Sequence, residues 1–327
     1  MKLSETGELP LLKKIRERFG VRSKDIIVGI GDDAAAVAPK QKNLLLTTDI
    51  MAEGIHFDLR LVTPYQIGFK LISVNASDIY AMGGSPRHVL LNIAVKGNFE
   101  EDFIESFLDG VGGAMRLYRT RLIGGDLSSS RSGLVVSAVI TGYAKKIIRR
   151  SSARPGDKIY VTGNLGDSAC GLELLRRIGR PLHIEKGEGS DTPLRWSIMR
   201  PLLKRHLLPE AVDPGKVRNT ATSMMDISDG LFIDLSRLCD ESRVGARVYL
   251  RKIPLSRQMK EAAAFLGMDP YRLATTGGED YELLFTALHK SKVSSICIGE
   301  ITESERVIVG IDSREKEFQA SGFQHWH

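Results

Sequence analysis

Five times along this chain an apolar run passes through small residues and ends on an aspartate. The stretches are Val28-Gly29-Ile30-Gly31-Asp32-Asp33, Leu44-Leu45-Leu46-Thr47-Thr48-Asp49, Val74-Asn75-Ala76-Ser77-Asp78, Leu122-Ile123-Gly124-Gly125-Asp126 and Met224-Met225-Asp226-Ile227-Ser228-Asp229-Gly230. Buried elements that repeatedly finish on a carboxylate predict an acidic rim. Two carboxylates about 5 Å apart repel by roughly 3 kcal/mol at an effective dielectric near 20, so such a rim calls for cations. Hard oxygen ligands on short side chains suit magnesium, and clustered magnesium suits phosphate. Taken singly, each Asp reads equally well as a helix cap or turn residue. Taken together, with Thr47, Thr48 and Ser228 beside them as neutral oxygen donors, they predict a metal and phosphate site. Asp226 and Asp229 are three apart and face the same way at a helix start. The sequence has no histidine-cysteine cluster of the kind that binds zinc or iron.

The remaining composition narrows the class. At 327 residues the chain can bury two cores. A net charge of +6 is modest over this length, and no dense Lys/Arg block with interleaved aromatics marks a nucleic-acid groove. Lys145-Lys146 and Arg149-Arg150 read as a solvated connection. Cys170, Cys239 and Cys297 are odd in number, far apart and set in apolar contexts, which predicts reduced, buried thiols. With no apolar run long enough for a bilayer and no leader-like start, the expectation is a cytoplasmic protein with neither nucleic acid nor membrane as partner.

Patterning predicts alternating helices and strands. Leu9–Phe19 reads as a helix, and Ile26–Ile30 and Leu44–Thr48 as strands. Thr63-Pro64 starts a helix along Ile67, Leu71, Val74 and Asp78, which Gly83-Gly84 and Pro86 end. Asp78 therefore lies in an apolar stripe, where a carboxylate needs a partner. His88–Val95 is a strand, Phe103, Phe107, Val111, Met115 and Tyr118 trace one helix face, and strands follow near Arg121–Ile123 and Leu134–Tyr143. Arg154-Pro155-Gly156-Asp157 is a turn and the domain boundary. Beyond it come strand Lys158–Thr162, loop Gly163-Asn164-Leu165-Gly166, a helix from Asp167 to about Ile178, and a mobile surface insertion at Gly187–Thr192. A helical stretch carries Lys204-Arg205-His206, another helix runs through Leu238, and strands are expected at Ala246–Leu250, Tyr281–Thr286, Ile296–Ile301 and Val307–Ile311. This is an α/β (α+β) pattern with helices on one face of a sheet.

Several nucleotide motifs are missing or open to two readings. There is no Gly-x-x-x-x-Gly-Lys-Ser/Thr loop. Gly163–Gly171 has the wrong spacing for a dinucleotide fingerprint and reads better as a tight turn than as a phosphate cradle. His56, in Glu53-Gly54-Ile55-His56-Phe57, either packs on its aromatic neighbour or holds an anionic substrate group. Glu279, in Gly277-Gly278-Glu279-Asp280, is a turn acid or a substrate contact, and Arg150 either stabilises a phosphoryl group or is surface like Arg149.

In order, these segments closely resemble the thiamine-monophosphate kinase family, within the superfamily of aminoimidazole ribonucleotide synthetase, selenophosphate synthetase and the hydrogenase-maturation dehydratase. The resemblance runs from Gly7-Glu8 to Gly322-Phe323-Gln324-His325. Its most telling pieces are Gly29-Ile30-Gly31-Asp32-Asp33, Thr47-Thr48-Asp49, Gly54-Ile55-His56-Phe57, Ile123-Gly124-Gly125-Asp126, Gly163-Asn164-Leu165-Gly166-Asp167-Ser168, Met225-Asp226-Ile227-Ser228-Asp229-Gly230 and Gly277-Gly278-Glu279-Asp280-Tyr281-Glu282. The family's Arg-His-Leu-Arg-Pro reads Arg205-His206-Leu207-Leu208-Pro209, one basic residue short.

The resemblance implies a two-domain fold like aminoimidazole ribonucleotide synthetase. Residues 1–150 would form an ATP- and magnesium-binding domain whose sheet pairs in a homodimer, and 151–327 an α/β domain closing the cleft. It implies ATP-dependent phosphorylation of thiamine monophosphate to the diphosphate with several Mg2+ ions. Carried over by position, Asp33, Thr47, Thr48, Asp49, Asp78, Asp126, Asp226 and Asp229 are the expected metal ligands. Tyr118, Gly125, Asp126, Arg150 and Ser228 are the expected ATP contacts, and Arg150 and Asp226 the expected catalytic residues. His56, Glu279 and a tail aromatic, Phe323 before Trp326 or Phe318, are the expected substrate contacts. The acceptor is a phosphate oxygen already ionised at neutral pH, so no general base is assigned. The alternatives are another ATP-dependent enzyme of the superfamily or a non-catalytic nucleotide-binding protein. No Cys precedes Cys170 as a selenophosphate enzyme would need, and the sequence closes Gln324-His325-Trp326-His327 where the dehydratase carries Cys.

Overall fold

The computed structural model describes residues 8–20, 23–28, 36–38, 43–189, 192–215, 217–291 and 293–323. The Gly29–Asp33 motif, and with it Asp33, lies outside the described residues, as does Trp326. The chain forms two compact units. The first comprises Met1–Ile79, Gly84–Lys146 and Arg180–Leu182, and the second Tyr80–Gly83, Ile147–Gly179 and His183–His327.

The first unit holds α1 (Glu8–Phe19), β1 (Ile26–Val28), β2 (Ala36–Val37), β3 (Asn43–Ala52), α2 (Pro64–Ala81), β4 (Ser85–Val95), α3 (Glu101–Tyr118), β5 (Arg121–Ser129) and β6 (Val135–Ala144). Helix α2 starts where the sequence places it, for a visible reason. Thr63 Oγ1 accepts from the Gln66 amide at 3.3 Å while Gln66 Oε1 accepts from the Thr63 amide at 3.0 Å. That reciprocal pair, with Pro64 at the first helical position, satisfies donors a helix end leaves open. Helices α2 and α3 then meet backbone to backbone. A Cβ on Gly68 would fall 2.1 Å from the Phe107 carbonyl oxygen, and one on Gly110 1.9 Å from that of Tyr65.

The main sheet of this unit runs β3-β6-β4-β5, parallel only between β4 and β5. Side chains alternate between its faces. On β3, Leu45 and Met51 are buried, whereas Leu44, Leu46 and Ile50 are 45%, 67% and 58% exposed. Strand β5 carries a bulge: Val89 pairs with Leu122 but Leu90 with Gly124, so Ile123 is an extra residue. Both Leu122 and Ile123 are thereby buried, and the alternation shifts by one. The expected strand Arg121–Ile123 thus continues to Ser129, because the ladder with β4 carries through Gly124, Gly125 and Asp126. Strand β3 likewise runs past Thr48 to Ala52 on an unbroken ladder with β6.

The second unit contains β7 (Lys158–Val161), α4 (Asp167–Ile178), α5 (Trp196–Leu207), β8 (Ala221–Asp226), α6 (Leu231–Ser242), β9 (Gly245–Tyr249), α7 (Arg257–Leu266), α8 (Pro270–Thr276), β10 (Leu283–Ala287), β11 (Ile296–Thr302), β12 (Arg306–Val309) and β13 (Glu315–Glu317). Its sheet order is β13-β12-β9-β11-β7-β10-β8, with β12 and β9 the parallel pair. All five residues of β10 are buried. Met224, Leu283 and Phe285 pack with Tyr160 and Ile148, the Tyr160 and Phe285 rings stacked at 5.3 Å. Tyr281, expected to open β10, instead lies in a turn with φ 50°, and the strand starts at Leu283. Gly187 and Gly189 are exposed, while Ser190 and Asp191 of the expected insertion lie outside the described residues.

Candidate active site

In the first unit the structure joins two of the candidate donors. Thr47 on β3 donates through Oγ1 to Asp78 Oδ2 on α2 at 2.5 Å. Asp78 is half-buried, and its place in the apolar stripe of α2 is what brings it under the sheet. Asp49 lies two residues on from Thr47, hence on the same face, and in the row Asp49, Ala138, Leu91, Gly125 across the sheet. Gly125 has φ +152°, and a Cβ there would sit 1.8 Å from the Leu91 carbonyl oxygen, so no other residue fits. Thr48 and Asp126 take the opposite face. Asp126 stands in register with Asn92, Ser137 and Ile50, and Thr48 with Val139 and Leu90. Adjacent strand positions cannot share a face, and the β5 bulge sets which face Asp126 takes.

His56 closes a tight turn after β3. Its Nδ1 accepts from the Ala52 amide at 3.0 Å, and its own amide donates to the Ala52 carbonyl at 3.0 Å. An Nδ1 that accepts requires the neutral ring to carry its proton on Nε2, a donor that suits a phosphate oxygen. Tyr118 is buried at the end of α3 and donates its hydroxyl to Ser73 Oγ at 3.1 Å.

The second unit brings Asp226, Ser228, Asp229, Glu279 and Phe323 to one set of loops. Asp226 ends β8 opposite Leu283 and is buried. The loop after it is stitched to the loop before β10. The Ile227 amide donates to the Glu282 carbonyl at 2.8 Å, the Glu279 amide to Ser228 at 2.7 Å and the Tyr281 amide to Ile227 at 2.9 Å. Glu279 and Tyr281 both hold left-handed backbone, φ 66° and 50°, which a non-glycine residue keeps only under such restraint. The tail joins this loop set through the Phe323 amide, which donates to the Asp229 carbonyl at 3.0 Å, and the Phe323 side chain is exposed. Arg150 is exposed, while its carbonyl is pinned by Ser223 and Ser242 hydroxyls at 2.9 and 2.7 Å.

Several buried charged groups hold these loops, and sequence reasoning did not single them out. Asp280 is fully buried and accepts from the Gly166 and Ser168 amides at 2.7 and 3.3 Å. Burial pushes its carboxyl up to about 7, against the lowering effect of Arg205. Two of the amides at the start of α4, which a phosphate would need, are thus taken by the chain's own carboxylate, which favours a structural role for the Gly163–Gly166 loop. Glu282 accepts from Thr162 Oγ1 at 2.5 Å and pairs with Arg205. Asp234 is likewise fully buried and accepts three consecutive amides through one oxygen. Burial and the neighbouring Asp229 push it up to about 6. Its signal was visible: like Asp78, Asp234 interrupts an apolar helical run, between Ile233 and Leu235.

The donor set fits magnesium chemically. Carboxylates and hydroxyls are hard oxygen ligands, and Thr47 already orients Asp78 without neutralising it. Among the described residues, no group of three or more His, Cys, Asp or Glu is gathered tightly enough to hold a metal ion.

Likeness to known proteins extends over the whole chain. Residues 31–144 match the AIR synthase related protein N-terminal domain and residues 154–312 the C-terminal domain. The thiamine-monophosphate kinase of Aquifex aeolicus is 37% identical over all of both chains. A solved complex of AaThiL with AMPPCP and TMP superposes with a TM-score of 0.76 at 34% identity, covering 100% of this chain and 99% of that one. The enzyme of that name from Stenotrophomonas maltophilia K279a gives 0.79 at 32% identity, covering 94% and 97%. Full-length likeness at this level, on a fold that places the acidic motifs as described, identifies the chain as a member of the thiamine-monophosphate kinase family.

Proposed function

We propose that this chain transfers the γ-phosphoryl group of ATP directly to the phosphate of thiamine monophosphate, giving thiamine diphosphate. The observation that carries this reading is full-length family membership, with AMPPCP and TMP as the two ligands of the related complex. Asp33, Thr47, Thr48, Asp49, Asp78 and Asp126 in the N-terminal half and Asp226 and Asp229 in the C-terminal half are the proposed Mg2+ donors. Magnesium bound there supplies neutralisation of the phosphates and a template for in-line geometry. Tyr118, Gly125, Asp126, Arg150 and Ser228 are the proposed ATP contacts, and Arg150 and Asp226 act at the transferring group.

His56 presents Nε2–H, which binds the acceptor phosphate as a hydrogen-bond donor. Glu279 offers a carboxylate to the cationic thiazolium ring, and exposed Phe323 a face for stacking. A homodimer is supported by the exposed apolar row Leu44, Leu46 and Ile50 on β3, which a second copy of the same sheet would cover; Thr48 and Asp126 share that face, so the proposed donors there would border the contact. A cytoplasmic location fits Cys170, Cys239 and Cys297, all free thiols, and no helix among the described residues is long and apolar enough to cross a membrane.

The test is a coupled assay with ATP, magnesium and thiamine monophosphate, followed by product identification. The expected product is thiamine diphosphate, with free thiamine a poor acceptor. Turnover of thiamine but not of its monophosphate overturns the reading.

A further inference from the structure

The Asp226–Gly230 loop is held by two residues of α6 that have no part in the proposed chemistry. Asp234 Oδ2 accepts from the amides of Ser228 and Asp229, each at 3.0 Å, and from that of Gly230 at 3.2 Å. Three consecutive amides converging on one oxygen fix the loop's curvature, and Asp234 is fully buried while doing so. Arg237 lies one turn further along α6. Its Nη1 donates to Asp234 Oδ1 at 2.9 Å and to Asp229 Oδ2 at 2.6 Å. One guanidinium nitrogen thus ties the buried carboxylate that shapes the loop to a half-buried carboxylate borne on it. The Asp229 side chain is 27% exposed and that of Arg237 is 40% exposed, so this corner is open to solvent and to ligands.

We propose that Asp234 and Arg237 are positioning residues for the phosphoryl-transfer loop: Asp234 sets its backbone, and Arg237 holds Oδ2 of Asp229, so that Oδ1 is the oxygen this carboxylate would offer to a divalent cation. The proposal rests on Asp229 being a cation ligand, as assigned under the proposed function. Its physical content is a balance of two effects. A carboxylate free to rotate can chelate a cation through both oxygens, which binds tightly but costs the ion a coordination position. Tying one oxygen to a cationic side chain forbids that mode and places a positive charge near the metal, which weakens binding. Arg237 therefore trades cation affinity for one fixed carboxylate geometry, and the geometry is what an in-line transfer needs.

The experiment compares the full-length wild type with Arg237→Met and Arg237→Lys. Manganese(II) alone is titrated into each protein and followed by electron paramagnetic resonance, and kcat, the magnesium dependence and thermal stability are measured in parallel. Removing one nearby positive charge at a solvent-exposed site should tighten manganese binding by about tenfold in Arg237→Met. Its kcat should fall by at least about tenfold at saturating magnesium, since a misplaced ligand is not corrected by more metal. Arg237→Lys keeps the charge and should return manganese affinity to the wild-type value with part of kcat. Unchanged or weaker manganese binding in Arg237→Met, in a protein that melts like the wild type, overturns the proposal. If Arg237→Met does not fold, Arg237→Lys decides alone: it must then match the wild type in affinity while losing kcat. Equal kcat there overturns the proposal too. Because manganese binding is read without substrate, an error in the substrate assignment leaves this test intact.

Discussion

His206 Nδ1 stands 3.2 Å from Oε2 of Glu279 and 3.3 Å from Oγ of Ser168, so one buried imidazole on α5 ties the proposed substrate carboxylate to the start of α4. Glu279 stands on left-handed backbone that the loop hydrogen bonds restrain, and His206 adds a contact to its carboxylate. Replacing His206 with Phe keeps most of the volume and removes the polar contact. A hydrogen bond to a charged group is worth about 1.5–3 kcal/mol, so the KM for thiamine monophosphate should rise by about tenfold or more. The KM for ATP should stay put. An equal rise for both substrates would place His206 in the general scaffold.

Asp78 accepts from Thr47, and the pair marks where α2 meets β3. Asp78→Asn retains the shape and an acceptor oxygen but not the charge. Turnover should drop by about 10²–10³, the usual cost of one lost electrostatic group in phosphoryl or acyl transfer, and Asp49→Asn should behave alike. Stability without metal should hold or rise, since each change relieves like-charge repulsion. Reduced stability with normal activity would make these residues structural.

Asp280 gives a pH dependence with a definite sign. Its carboxyl is pushed from 3.8 up to about 7 by burial. Between those values the folded carboxyl keeps a proton that the unfolded one releases, so stability falls as pH rises and the loss is complete above about 7. Asp280→Asn removes that slope whatever its constant cost in lost amide contacts. The melting temperature of the wild type minus that of Asp280→Asn should therefore be larger at pH near 5 than at pH near 8. A difference flat across this range would mean that Asp280 is ionised throughout.

Tyr118 separates a packing role from a nucleotide role. Its hydroxyl bonds Ser73 in the core, so Tyr118→Phe should cost about 1 kcal/mol in chemical denaturation and leave the KM for ATP unchanged. Tyr118→Ala should destabilise by about 3–5 kcal/mol and also raise the KM for ATP. Loss of stability alone would leave Tyr118 as the last core residue of α3.

Much of this architecture was legible because it rests on local chemistry. The Thr63-Pro64 start of α2, the apolar stripe that carries Asp78 and the turn at Arg154–Asp157 are each written in a few adjacent residues. Strand ends were less legible, since they depend on the partner ladder. Nothing local in Arg121–Ile123 announces that β4 will carry β5 on to Ser129. The bulge at Ile123, which decides the face of Asp126, is also a property of the pair. In the site, the candidate donor acids could be named from sequence, whereas their buried supports, Asp234, Asp280 and His206, take their meaning from distant backbone amides and side chains.

Phosphoryl transfer should proceed in one in-line step with no phosphoenzyme. A covalent route needs a nucleophile, and the candidates are poor. Burial pushes the Cys170 thiol up to about 12 and the Cys239 thiol up to about 11, so neither supplies thiolate near neutral pH. His56 accepts at Nδ1 from the Ala52 amide, which commits that lone pair. Asp229 is bound to Arg237, and Asp78 accepts from Thr47, so both carboxylates are engaged. Direct attack requires both substrates bound together, so initial-rate plots against the two substrates should intersect, and never run parallel as in a ping-pong scheme. One in-line displacement inverts a chiral γ-phosphorus and two restore it, so the product should show inversion. Retention, or label from γ-phosphate-labelled ATP trapped on the protein in the absence of acceptor, would sink the single-step mechanism and direct the search to whichever of His56 or the aspartates carries it.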